Sequence, residues 1–430
     1  MIMKLLSTTA LIILTALTSF AQGEKRWLKH EITTLSSTTM HGRGYVSKGG
    51  DKAAAYIQKK FREFGVKSIK ADSSYYQPYS FSINTFPGTV YFKINKKELK
   101  PGPDYIVYAG SSPYKTEKIK LRKIDLKKVK DSVSWAMVKT QFRPDRAYFL
   151  KNSDTVSKYL KHSIRSFAKE FPDGLYILPK HGKLIWTANT DTVPATIVYV
   201  EDTVLPKRWI RNAAVTVETE YIPSFKSQNV IGVVPGTERP DSFIVFTAHY
   251  DHLGQMGRHT VFPGAHDNAS GTALMMYMAK YFAAHPQRYS TVFIGFSGEE
   301  AGLLGSKHYV NNPLFQLDKI RFLVNLDMTG DATNGITVVN GTENEPEFAI
   351  MEEINKEKQY LPKLNKREKT SNSDHYHFAE KGVPAVFIFG NGTKGHYHDV
   401  FDVAKELSLE NIDGLANMLI SLTGRLSGQK

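Results

Sequence analysis

The segment SFIVFTAHYDHLG, residues 242–254, decides how this chain folds. Its beginning, Ser242–Thr247, is a largely apolar run of the kind found in strands that helices cover on both faces. Two polar side chains of the types that bind metals, His249 and Asp251, follow at once. A long helical pattern, Ala269–Ala284, comes next. The segment therefore predicts a buried strand, a polar loop and a covering helix.

The same order of apolar run and polar loop recurs further along the chain. The later runs are Thr291–Phe296, Arg321–Leu326 and Pro384–Phe389. The polar groups that follow them are, in turn, Glu299 with Glu300, Asp327, and His398 beyond a Gly-rich loop. We therefore predict an α/β fold with a central mixed, largely parallel sheet flanked by helices on both faces.

Side chains that follow such strands gather just outside the carboxyl edge of the sheet. Together with Asp267 from GAHDNASG, they make a set of two imidazoles and three carboxylates that would repel one another without a cation. These ligand types suit zinc, with manganese and cobalt left open. The set is too large for one tetrahedral catalytic zinc with an open position. It suits two metals about 3.5–4 Å apart that share a bridging carboxylate.

The adjacent residues Glu299 and Glu300 can divide two tasks. Successive side chains of an extended segment point in opposite directions. One carboxylate can therefore bind metal while the other faces the reacting water as a general base.

Several motifs together resemble a known family: TAHYDHLG, GAHDNASG, SGEEAGLLGS, NLDMTGD, SDHYHF and YHDVFD. In this order they are similar to the co-catalytic dizinc aminopeptidases of clan MH. That group includes bacterial secreted leucyl aminopeptidases and, more remotely, glutamate carboxypeptidase and glutaminyl cyclase. The resemblance covers residues 24–82 and 223–427. It implies a zinc-peptidase fold, two zinc ions per chain, and hydrolysis of N-terminal residues from peptides with a free N-terminus.

The resemblance also implies how the ligands are shared. His249 and Asp327 would bind one zinc, Glu300 and His398 would bind the other, and Asp267 would bridge the two. His396 is an alternative ligand, because it lies two residues before His398.

The remaining site residues are assigned on the same basis. Glu299 would be the catalytic base, and Asp251 would orient the imidazole of His249. Asp374 and His375, from SDHYHF, are possible pocket residues. We interpret His252 as a polar residue of a loop.

The first 21 residues have the features of a secretory signal peptide. Lys4 precedes the apolar run Leu5–Phe20, and small residues around Ala21 suit cleavage there. We expect a secreted protein, periplasmic or extracellular, with no membrane span in the mature chain. The sequence contains 0 cysteines, so disulfides cannot stabilise it and any metal site uses nitrogen and oxygen ligands.

Residues 83–222 alternate short β-like runs with turns, for example Thr89–Ile94, Tyr105–Ala109 and Ala195–Val200. We predict that they form an inserted strand-rich domain of protease-associated type, with Val156–Phe171 as a basic helix. This segment holds 25 of the Lys and Arg residues against 14 Asp and Glu, which is most of the net charge of +14. Because no nucleic-acid reader motif accompanies it, we interpret it as a solvated basic surface and expect no nucleic-acid partner. Nothing in the sequence indicates an oligomeric state.

Three other functions compete with the aminopeptidase. A glutaminyl cyclase shares the fold with one zinc, but lacks the ligand pair that TAHYD supplies. A carboxypeptidase needs arginines to hold a C-terminal carboxylate, and only Arg258 and Arg321 lie close in sequence to the motifs. A catalytically inactive receptor or binding ectodomain would have lost ligands that this chain retains.

Overall fold

The computed structural model describes residues 23–144, 146–160, 164–206, 209–393 and 395–428. The predicted signal peptide lies outside these residues. In the described part of the chain, no helix has the length and apolar character needed to cross a membrane.

The strands in chain order are β1 (Tyr76–Thr85), β2 (Val90–Ile94), β3 (Lys97–Leu99), β4 (Tyr105–Val107), β5 (Tyr114–Asp125), β6 (Ala147–Lys151), β7 (Gly174–Lys180), β8 (Ala195–Glu201), β9 (Asn212–Val217), β10 (Glu220–Val234), β11 (Arg239–His249), β12 (Gly254–Met256), β13 (Thr260–Phe262), β14 (Tyr289–Phe296), β15 (Ile320–Leu326), β16 (Ile336–Val339), β17 (Leu364–Arg367) and β18 (Ala385–Gly390). The helices are α1 (23–35), α2 (Gly49–Phe64), α3 (Ser132–Lys139), α4 (Asp154–Leu160), α5 (Ile164–Ala168), α6 (Gly271–Ala284), α7 (Leu304–Asn311), α8 (Glu345–Lys358), α9 (His375–Glu380) and α10 (Ile412–Leu426).

The first sheet has the order β1-β10-β14-β11-β15-β18-β16-β17. Its centre is parallel, because β11 pairs in parallel with both β14 and β15, and β15 pairs in parallel with β18. The outer pairs β1–β10, β10–β14 and β16–β18 are antiparallel. The predicted mixed α/β sheet is confirmed, and its parallel centre carries the strands that precede the polar loops.

Helices cover both faces of this sheet, as the apolar runs predicted. Ile244 and Phe246 of β11 point into a core with residues of α2, α6, α8 and α10. The intervening residue, Val245, points into a second core with Tyr309 of α7 and Phe378 of α9. Alternate residues of one strand are therefore buried on opposite faces, which explains why the run lacks a polar side.

The second sheet has the order β3-β2-β9-β5-β6-β7-β8-β4 and draws its strands from within residues 90–217. The antiparallel ribbon of β1 and β10 leads into it and back, with Thr85 paired to Glu220. The predicted limits at residues 83 and 222 therefore fall inside these two strands rather than in loops. Of the expected basic helix Val156–Phe171, the residues up to Leu160 lie in α4 and Ile164–Ala168 form α5.

Phe246 offers a test of the shared core. This residue is 1% exposed, and its ring stacks with the rings of Phe282 and Phe293. We expect Phe246→Ala to lower the free energy of unfolding by about 3–5 kcal/mol, because the surrounding side chains cannot close the cavity. Urea denaturation measures the change. The control Val133→Ala alters a side chain that is 68% exposed, so a loss of similar size there would contradict this reasoning.

Candidate metal centre

Four neighbouring strands bring the predicted ligands to one edge of the first sheet. His249 is the last residue of β11, and Asp327 follows β15 directly. Glu299 and Glu300 lie in the loop after β14, and His398 lies in the loop after β18. Because these strands run in parallel and are adjacent, their carboxyl ends lie side by side.

Asp267 lies between two groups of ligands. Its Oδ1 is 3.3 Å from Nε2 of His249, which is also 3.3 Å from Oδ1 of Asp327. Its Oδ2 is 3.1 Å from Nε2 of His398, which is 3.0 Å from Oε2 of Glu300. One carboxylate thus faces a His–Asp pair with one oxygen and a His–Glu pair with the other, which is the arrangement needed to bridge two cations.

The chemistry of these side chains fits a metal. His249, Asp267 and Asp327 are all buried, and Oδ1 of Asp327 has no hydrogen-bond partner among the described residues. A buried carboxylate oxygen without a donor is costly unless a cation supplies the missing interaction. Donor atoms of His249, Glu299 and Asp327 also lie within 4.8 Å of one another.

Without metal, protons on the imidazoles balance the carboxylates. Burial lowers the pKa of His398, but Glu300 and Asp267 outweigh it and raise that pKa to about 11. Burial raises the pKa of Glu300, but His398 and His252 reverse this and hold it at about 2. A bound cation would replace these protons, so metal binding releases them.

Glu299 differs from Glu300 in its electrostatic environment. Burial raises the pKa of Glu299 well above its usual range; nearby His249 opposes this, while Glu300 and Asp327 add to it. A raised pKa is what a carboxylate needs in order to take up and release a proton near neutral pH.

Asp251 contacts two residues of the centre, Glu299 and His249. Its Oδ1 accepts a hydrogen bond from the backbone N–H of Glu299 at 3.3 Å, and its backbone carbonyl lies 3.2 Å from Nδ1 of His249. Its Oδ2 accepts from the hydroxyl of Tyr45 at 3.0 Å. Asp251 therefore holds the loop of Glu299 and the ring of His249 in fixed relative positions.

His252 is a site residue that the sequence interpretation missed. Its Nδ1 lies 2.6 Å from Oε1 of Glu300, and its ring is fully buried, so it is not simply a polar loop residue. The only signal was its position three residues after His249 in TAHYDHLG.

Arg43 is a second residue without a sequence signal. Its buried guanidinium donates to the carbonyls of Tyr250, Gly264 and Asp267, at 2.8, 2.7 and 3.3 Å. Burial lowers its pKa to about 10. The carboxylate of Asp402 also holds this loop, because it accepts a hydrogen bond from the backbone N–H of Asp267 at 3.1 Å. Gly264, at φ +59°, begins the loop, and a Cβ there would collide with the carbonyl of Asp267.

The segment between β7 and β8 of the second sheet orients one ligand directly. The backbone N–H of Trp186 donates to the carbonyl of His398 at 3.0 Å, and Nδ1 of His398 lies 3.0 Å from the carbonyl of Trp186. The ring nitrogen facing a carbonyl must carry the proton, which leaves Nε2 free for a metal. His396 instead lies 3.5 Å from a carboxylate oxygen of Asp399.

An open cavity of about 560 Å³ adjoins the centre. His249, Asp267, Glu299, Asp327 and His398 line it together with Phe387, Phe389 and Arg367. Asp374 and His375 are fully buried and are not among its lining residues. Ser373, directly before them, donates to Oδ2 of Asp327 at 2.8 Å.

The fold is α/β, and the side chains gathered at the edge of its first sheet are of the types that bind metals. Residues 229–423 match the model of Peptidase family M28. The chain is 29% identical over 219 residues to aminopeptidase YwaD of Bacillus subtilis, covering 47% of this chain and 46% of that protein. It is 26% identical over 227 residues to a probable leucine aminopeptidase of Arthroderma otae, covering 48% of this chain and 59% of that protein. The matched segments thus span about half the length of these two relatives.

Solved structures extend the likeness in fold to nearly the whole chain. BSAP, a zinc aminopeptidase from Bacillus subtilis, superposes with a TM-score of 0.68 at 20% identity, covering 93% of this chain and 94% of that one. A peptidase M28 precursor from Shewanella amazonensis gives 0.66 at 15% identity, covering 95% and 97%.

Arg43→Lys tests the support of the bridging loop. The substitution keeps the charge but loses the planar fork that reaches several carbonyls at once. We expect the free energy of unfolding to fall by about 2–4 kcal/mol, since buried carbonyls lose their donors. Urea denaturation of metal-free protein measures it. Arg321→Lys, on an exposed side chain, is the matched control, and equal stability of the two variants would contradict the role given to Arg43.

Proposed function

We propose that this chain is a secreted dizinc aminopeptidase, which removes single residues from peptides with a free N-terminus. The observation that carries the proposal is the placement of Asp267, whose two oxygens face His249 and His398 separately. The names of the relatives supply the activity class. Secretion rests on the pattern of residues 1–21, and residues 83–222 are proposed as a separate inserted domain.

The proposed ligands follow the two groups around Asp267. His249 and Asp327 would hold one zinc, and Glu300 and His398 would hold the other. Zinc bound there would lower the pKa of water and polarise the scissile carbonyl. His252 and Asp251 would fix the directions of Glu300 and His249, which keeps the ligand atoms in place during the reaction.

The proton transfers fall to Glu299. Its carboxylate lines the cavity next to His249 and Asp327, and its backbone is held by Asp251. Glu299 would take a proton from the attacking water and give it to the leaving amine, acting as base and then as acid. The carboxylates at the cavity wall would attract the ammonium of the substrate's first residue, which favours cleavage next to a free N-terminus.

One observation favours the carboxypeptidase alternative. Arg367, which precedes the SDHYHF motif by six residues, lines the same cavity. An enzyme that holds a C-terminal carboxylate there would release residues from the other end of a peptide. Mass spectrometry of the products separates the two activities.

Zinc content tests the bridging role. We expect zinc-loaded wild-type protein to retain two zinc ions per chain after dialysis, and Asp267→Asn to retain fewer, because a neutral amide is a poor bridge between cations. Inductively coupled plasma mass spectrometry gives the stoichiometry. Asp318→Asn, at an exposed position, is the control. Retention of two zinc ions by Asp267→Asn would rule out the bridge.

Glu299→Gln tests the base. We expect kcat to fall by about 10²–10⁴-fold with zinc content unchanged, because glutamine cannot accept the proton of the attacking water. The substrates are one set of peptides with free and with acetylated N-termini. Glu352→Gln, exposed on α8, should retain full activity. Undiminished turnover by Glu299→Gln, or cleavage of acetylated peptides, would contradict the proposed mechanism.

A further inference from the structure

The loop that carries the adjacent glutamates borders two cavities. Glu299 lines the first, with the other site carboxylates. Glu300 lines the second, a cavity of about 420 Å³, together with Ala301 and Gly302. A peptide bound across the centre therefore has space for side chains in two distinct cavities.

The other wall of the second cavity comes from the second sheet and its loops. Its large side chains are apolar or aromatic: Ile106, Tyr108, Ile185, Trp186 and Tyr199. Ile185 is 40% exposed although it lines a concave surface, so part of this wall is open to an incoming ligand. A concave apolar surface with a few polar groups is typical of a site that binds a side chain.

This wall is held against the first sheet. The backbone of Trp186 pairs with that of His398, as described above. A few residues on, the carbonyl of Asn189 accepts from the backbone N–H of Asn84 at 2.9 Å, and the carbonyl of Thr190 accepts from the hydroxyl of Ser82 at 2.7 Å. The cavity is therefore formed before a ligand arrives, which lowers the entropic cost of binding.

Charge determines which part of a peptide each cavity can hold. The first is lined by Asp267, Glu299 and Asp327 and suits an ammonium group. The second is lined by Glu300, which is paired with His252 and His398, and by Lys180, which has no salt bridge within the described ranges of the chain. A lysine there disfavours a free N-terminus and favours apolar or anionic groups.

We propose that the second cavity binds the side chain of the substrate's second residue, on the leaving-amine side of the scissile bond, and selects large apolar residues there. The inference rests on the proposed aminopeptidase function and gives the second sheet a direct part in specificity.

The test compares substrates that share their first residue. Leucinamide has no second residue, whereas Leu-Gly-NH2 and Leu-Phe-NH2 differ only in that side chain. We expect wild type to hydrolyse Leu-Phe-NH2 with the highest kcat/KM. Ile185→Ser should reduce the ratio of kcat/KM for Leu-Phe-NH2 to that for leucinamide by about fivefold to tenfold, in line with the loss of an apolar contact.

A second variant changes the preference in another way. Ile185→Trp keeps the wall apolar but fills the cavity, so it should favour Leu-Gly-NH2 over Leu-Phe-NH2. Val133→Ser, at an exposed apolar residue on α3, should leave all three values unchanged.

The failures are distinguishable. Hydrolysis of leucinamide without a preference for Phe, or with a preference that neither Ile185 variant alters, would overturn the second-cavity assignment and leave the aminopeptidase standing. No hydrolysis of any substrate by zinc-loaded wild type would remove both.

Discussion

The carboxylate of Asp267 is the constraint on which the rest of the centre depends. It is buried between two imidazoles, and each of its oxygens faces a different ligand pair. Buried anions at this density are tolerated only when positive charge compensates them. The surrounding structure fixes the position of this carboxylate and of its partners. Arg43 and Asp402 hold the loop that carries Asp267, and the parallel strands place the other ligands at the same edge of the first sheet.

The same constraint links metal to stability. In the metal-free protein the carboxylates depend on protonated imidazoles, with His398 the clearest case. A cation that binds the folded chain but not the unfolded chain stabilises the fold in proportion to the logarithm of its concentration. A chain with 0 cysteines forms no disulfides, so a bound cation would supply stability that covalent cross-links cannot.

The sequence predicted those parts of the fold and site that local pattern encodes. The four central strands were visible as apolar runs, and polar residues of metal-binding type followed each of them, so β11 with His249 and β15 with Asp327 could be predicted in order. Supporting residues were not visible, because their partners are remote in sequence. Arg43 reaches carbonyls more than 200 positions away, and Trp186 meets His398 across a separation of 212.

The hydrogen bonds between Trp186 and His398 connect the segment between β7 and β8 to a ligand of the first sheet. If a ligand that binds the Trp186 segment changed the free energy of placing the His398 ring, a cation on that ring would change the affinity for that ligand by the same factor. Without the second sheet and its loops, the first sheet would lose this contact and with it the Trp186 carbonyl that sets the tautomer of His398.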